Sequence, residues 1–285
     1  MDNDKKILNV KKSPIDDRDW IFKNKNNNIK LPLILDYRND LLPVRNQGNQ
    51  GTCYAQSVAC MKEWQEKKDT NLDKYLSPQF FYNNRSNLYD DDKNNDEGMY
   101  GRDVMKLLRN IGICEEEIYP YGLIQKKQEI QEYCYLKAKK NIIKGYAKID
   151  SLDSLKESLY TNGPCLIAFP VYNNGNEMWI KNNDNNFMGG HAMCVVGYLE
   201  DSFIIRNSWG NYWGDNGYCY YKFKDWNSHW ECWTTVDYNN PEDKSEDKSE
   251  DKSEDKSEDK SEDKSEDKSE DIKIIKYRDC PCIIS

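Results

Sequence analysis

Residues 46–64, NQGNQGTCYAQSVACMKEW, constrain this chain more than any other stretch. A turn built on Gly48 and Gly51 runs straight into a segment where Tyr54, Ala55, Val58, Ala59 and Met61 recur at helical spacing, so the pattern predicts a helix opening at Cys53. A thiol at that place faces the free N–H groups of a helix N-terminus, which favour a negative sulfur, and the thiolate is the nucleophilic form. Gln47, just upstream, offers a carboxamide donor that together with the Cys53 N–H can hold the oxygen of an attacked carbonyl.

A nucleophile needs a base, and the chain has only 2 histidines. His191 follows Gly189 and Gly190, a pair that lets a substrate come close, and it opens an apolar run through Met193, Val195, Val196 and Tyr198 that reads as a buried strand. His229 lies in the polar, aromatic stretch DWNSHWECW and reads as structural. Beyond His191, the segment IIRNSWGNYWGDNGY supplies Asn207 to orient the imidazole and Trp209 to cover that hydrogen bond. His191 and Asn207 follow Cys53 by about 140 and about 155 residues, close to the separations of a Cys-His-Asn constellation.

Taken in order, LPLILDYRNDLLPVRNQGNQGTCYA, SPQFFYNNR, ICEEEIYPY, NGPCLIAFPVY, GGHAMCVVGY and FIIRNSWGNYWGDNGYCYY resemble the papain-like (cathepsin-like) cysteine protease family, over roughly Leu31 to Val236. The resemblance implies an α+β fold of two lobes, one helical and one an antiparallel sheet, with a cleft between them. It implies Gln47 as oxyanion donor, Cys53 as nucleophile, His191 as base and Asn207 as orienter. Gly98, Gly189, Gly190 and Trp209 would line the substrate cleft. It further implies a monomeric thiol peptidase acting on peptides or proteins with no metal and no cofactor, and a thiolate–imidazolium pair between Cys53 and His191. No long insertion blocks an end of the cleft, which favours an endopeptidase. An inactive binding relative and a cysteine-dependent transferase or amidase are the competing readings; the complete Cys53, His191, Asn207 and Gln47 set argues against the first.

Charge divides the rest of the chain. Residues 242–269 are seven copies of Glu-Asp-Lys-Ser, followed by Glu270 and Asp271, and this stretch accounts for the whole net charge of −9. The remainder is close to neutral, so no basic surface for nucleic acid is indicated. Such repeats bury nothing and read as a solvated tether. The expected organisation is an N-terminal arm (1–30), a peptidase domain (31–240), the tether (241–271) and a tail (272–285). The arm reads as packed on the surface; a plug lying in the cleft is the alternative. The tail ends in Cys282-Ile283-Ile284-Ser285, a C-a-a-X pattern, with Cys280 and three basic residues nearby, so lipid-mediated membrane association is an expectation.

The N-terminus shows no secretory pattern and no apolar run is long enough to span a membrane. Secreted members of the family carry a cysteine three residues before the nucleophile, bridged to a Cys-Asn-Gly-Gly segment; here Gln50 and Asp96-Glu97-Gly98-Met99 stand in those places. Reduced thiols and an intracellular location, cytoplasmic or on a cytosolic membrane face, are therefore expected. The Asn- and Lys-heavy composition hints at an AT-rich genome, such as that of a large DNA virus, for which the virion is the alternative. Among local elements, Ser77-Pro78 predicts a capped helix start, 102–112 and 151–160 predict amphipathic helices, and 165–172, 191–198, 202–207 and 217–223 predict strands.

Overall fold

A computed structural model describes residues 6–23, 29–85, 96–122, 129–181 and 186–236. The tether, the tail with Cys280 and Cys282, and most of the acidic loop after Asn83 lie outside the described residues.

The helix predicted at Cys53 is α1, Cys53–Thr70, and it ends where Asn71 adopts a left-handed conformation (φ 58°). Its first fourteen residues, through Glu66, are buried although many are polar. Burial of those charges is met by pairing, as it must be. Lys62, fully buried, bonds Glu66 one turn on at 2.7 Å, and Glu63 meets Arg45 at 2.7 Å. Around α1 stand α2 (Pro78–Asn83) and α3 (Gly101–Asn110). Ser77 caps α2 by accepting the Phe80 N–H at 2.9 Å, with Pro78 in the first turn, as the sequence predicts. A fourth helix, α4 (Glu132–Ala138), packs Cys134 and Ala138 against Phe80.

The second lobe is one antiparallel sheet. Its strands are β1 (Leu35–Asp36), β2 (Gly145–Lys148), β3 (Cys165–Val171), β4 (Gly189–Tyr198), β5 (Ser202–Arg206), β6 (Tyr218–Lys222) and β7 (Glu231–Val236). They run in the order β2-β7-β3-β4-β5-β6, with β1 paired on β4. Helix α5 (Leu152–Asn162), capped by Ser151, packs on one face and α1 on the other. Alternate residues therefore enter different cores: Leu166, Ala168, Ala192 and Cys194 face α1, while Ile167, Phe169, Met193 and Val195 face α5. Burial on both faces explains why β3 and β4 read as continuous apolar runs rather than as alternation.

The arm departs from the expectation of a surface strap. Residues 8–11 pass between the lobes, with Asn9 bridging Gly190 of the sheet and Lys11 bridging Tyr100 of the helical lobe, both parallel. Val10 and Phe22 are buried in the two cores, and Arg102 grips Asp19 through Nε at 2.6 Å and Nη2 at 2.7 Å. The arm is a plug because it carries apolar side chains and unpaired strand amides into a cleft that offers partners for both.

Candidate active site

Cys53 occupies the first turn of α1, and His191 the third position of β4. The two elements pack on each other, and the backbone N–H groups of Ala192, one residue after the imidazole, and of Tyr54 and Cys53 favour a negative sulfur at Cys53. His191 Nε2 pairs with Asn207 Oδ1 at 2.7 Å, and His191 Nδ1 has no hydrogen-bond partner among the described residues. Trp209 lies over the imidazole, with ring centroids 4.5 Å apart and planes 31° from parallel. Cys53, His191, Asn207 and Trp209 are thus gathered at one place.

Gln47 belongs to the same assembly. Its backbone N–H donates to Ser208 O at 2.8 Å, and its side-chain Oε1 accepts the Ser208 hydroxyl at 2.6 Å. Nε2 donates to Gln50 O at 2.8 Å, which uses one of the two N–H groups of that amide. Ser208 and Tyr121, whose hydroxyl donates to Gln47 O at 2.8 Å, are functional supports that sequence reasoning missed. Ser208 sits inside the Asn-Ser-Trp-Gly segment and Tyr121 ends the ICEEEIYPY segment, so both lie in stretches the resemblance covers.

Gly98, Gly189 and Gly190 all lie against the arm. Gly98 has φ +74°, and a Cβ there would stand 2.1 Å from Asn9 O. At Gly190 a Cβ would meet Val10 O at 2.7 Å and the Trp230 ring at 2.4 Å, and at Gly189 it would meet Leu8 O at 2.1 Å. Backbone bonds complete the contact: Gly190 N–H to Leu8 O at 3.1 Å, Val10 N–H to Gly190 O at 3.2 Å and Lys11 N–H to Met99 O at 3.0 Å. Both cleft walls therefore bind extended backbone.

With the arm in place, Cys53 and His191 have no exposed surface. Burial pushes the Cys53 thiol up to about 12, against the opposing pull of the three N–H groups. Burial likewise pushes His191 down to about 4, against the Asn207 bond that favours its charged form. Burial thus disfavours the charged form of both the Cys53 thiol and the His191 imidazole. Removing water raises the free energy of each charge more than the fixed dipoles lower it. His229 bonds Tyr221 at 3.0 Å within a cluster containing Trp226 and Phe169, the structural role read for it. The 8 described cysteines are all free thiols.

Residues 31–237 match the profile of the papain family cysteine proteases. An uncharacterised peptidase C1-like protein of Acanthamoeba polyphaga mimivirus is 27% identical over 194 residues, covering 61% of this chain and 62% of that protein. Cathepsin K of Mus musculus is 32% identical over 207 residues, covering 66% and 59%. The chain spans about three fifths of the length of the curated relatives it matches. Among solved structures, xylellain, a cysteine protease from Xylella fastidiosa, superposes with a TM-score of 0.72 at 25% identity, covering 81% of this chain and 96% of that one. A family profile that matches residues 31–237, most of the chain, leaves one conclusion: the chain belongs to the papain family of cysteine proteases.

Proposed function

We propose that the protein is a thiol endopeptidase whose cleft is closed by its own N-terminal arm until residues 8–11 withdraw. The observation that carries the reading is the imidazole of His191, held by Asn207 under Trp209 with its other ring nitrogen unpartnered among the described residues, on a strand whose next residue, Ala192, shares a core with Cys53.

When the arm leaves and water enters, the burial that opposes both charges falls, and proton transfer from Cys53 to His191 becomes favourable. The thiolate attacks the peptide carbonyl. The Cys53 N–H and the spare Gln47 N–H hold the oxyanion, and His191 protonates the leaving amine. Water activated by the neutral imidazole then hydrolyses the thioester, returning the thiol. Trp209 keeps bulk water from the Asn207–His191 bond, so the ring stays oriented through both proton transfers.

Cys53→Ala and His191→Ala are each expected to abolish hydrolysis of an internally quenched peptide, because nucleophile and base act as one unit. Asn207→Ala leaves measurable activity, and Gln47→Ala lowers kcat about tenfold to a thousandfold by loss of one oxyanion donor. Undiminished hydrolysis by Cys53→Ala would refute the assignment. Cleavage in the interior of the peptide, rather than stepwise from an end, checks the endopeptidase mode.

A further inference from the structure

Asp96 is where the sequence lacks one half of the family's disulfide, and the structure gives its carboxylate three ties. Oδ2 accepts the Gly51 N–H at 2.7 Å, and Oδ1 accepts the Tyr82 hydroxyl at 2.5 Å. The Tyr82 oxygen in turn accepts the Gly98 N–H at 3.0 Å. The third tie comes from the arm: Asn9 Nδ2 donates to Asp96 O at 2.8 Å and lies 3.3 Å from Asp96 Oδ1.

The carboxamide of Asn9 therefore occupies a defined compartment. A Cβ on Gly51 would stand 2.3 Å from Asn9 Nδ2, and one on Gly98 would stand 2.9 Å from Asn9 Cγ. Gly51 lies two residues before the nucleophile, and Gly190, the bridge partner of Asn9, lies one residue before the base. A peptide whose carbonyl is under attack by Cys53 must place the side chain of that same residue within about one residue's reach, ~3.3 Å per residue, of those positions. The compartment beside Gly51 holds Asn9 and Asp96 side-chain atoms within 2.5 Å of a Cβ built there. It is glycine on two sides and a fixed carboxylate at its end, with Asp96 O beside it as a second acceptor. A carboxylate accepts at about four positions, so the bonds from Gly51 and Tyr82 leave capacity for an incoming donor.

We infer that Asp96 is a specificity-determining residue, selecting peptides whose residue on the acyl side of the cut carries N–H donors, a carboxamide or a cation. This rests on the catalytic reading above. Asn9 is the intramolecular occupant of that compartment, and Asp96 also fixes the turn carrying Gly51 by hydrogen bonds.

The test uses the full chain and a set of quenched peptides identical except for Gln, Lys, Met or Glu at the acyl-side residue. The arm lowers kcat/KM for every peptide by the same open fraction, so ratios between peptides are independent of it. Gln and Lys are expected to exceed Met, of similar length, by about tenfold to a hundredfold, the range for a hydrogen bond to a charged group. Glu is expected to be the poorest. In Asp96→Asn the Lys-to-Met ratio should fall by about tenfold, as the ionic part of that hydrogen bond is lost, and the Glu peptide should improve relative to Met. A flat profile in the wild type overturns the assignment of Asp96 alone, whether or not the variant folds; unchanged ratios in Asp96→Asn do the same. No hydrolysis of any peptide, with no labelling of Cys53 by an epoxysuccinyl probe, takes the catalytic reading down and this one with it.

Discussion

Shortening Val10 to alanine is the most direct way to measure how firmly the cleft is closed. Val10 is 6% exposed and packs in the core shared by α1 and the sheet, next to Met99 and Trp230. Val10→Ala removes two buried carbon groups, worth ~0.8 kcal/mol each, so the closed state loses ~1.6 kcal/mol. At tenfold per ~1.4 kcal/mol the open fraction rises about tenfold to fifteenfold. The backbone bonds from Val10 and Lys11 are untouched, and Phe22 and the Asp19–Arg102 pair still anchor the arm further along. The assay is the rate of Cys53 alkylation by iodoacetamide under reductant at pH 7, which is proportional to the open fraction while that fraction is small. The variant should label about tenfold faster, with kcat/KM for any peptide rising in step. Val10→Asp should go further, since a carboxylate enters the same apolar site without a partner. Labelling of Val10→Ala within about twofold of wild type would refute the closed-cleft reasoning, since a 1–2 kcal/mol loss cannot vanish from that ratio.

Two further outcomes follow from burial elsewhere. His191 and His229 both have folded values lowered by burial to about 4, below the ordinary 6.5. The unfolded chain therefore takes up protons first as pH falls, and stability present at pH 7 is lost between about 6.5 and 4, by up to ~3 kcal/mol per imidazole. Urea titrations at pH 7 and pH 4.5 measure this, and equal stabilities would refute neutral burial of both rings. Arg45→Met leaves Glu63 buried without its 2.7 Å partner, which also bonds Glu116 at 2.9 Å. Breaking one side of a buried pair costs ~3–5 kcal/mol; a loss below ~1 kcal/mol in urea would show that Glu63 is not held as a charge.

Local chemistry was legible in the sequence wherever it is written within a few residues. The helix opening at Cys53, the Ser77 cap with Pro78 behind it, and the runs that became β3 to β6 all follow from spacing and turn residues. The site residues singled out in the sequence lie in contact in part: His191 with Asn207 and Trp209, and Gln47 with Ser208 of the same segment. Strands β2 and β7 were not read. Four residues ending in a lysine carry too short a pattern, and the pairing of Gly145 with Val236 joins segments far apart in the chain. Tertiary structure alone decided the state of the site. Burial of Cys53 and His191, which disfavours charge on both, belongs to the folded chain with residues 8–11 lying between the lobes. In sequence, Asn9 and Val10 are two residues of a Lys- and Asn-rich leader. Folded, they lie between walls contributed by Gly98 and Gly190, where backbone bonds to Gly190 and Met99 and burial of Val10 hold residues 8–11. The same holds for Asp96: as a residue it only marks a missing cysteine, and only its bonds to Gly51, Tyr82 and Asn9 turn it into a wall of the cleft.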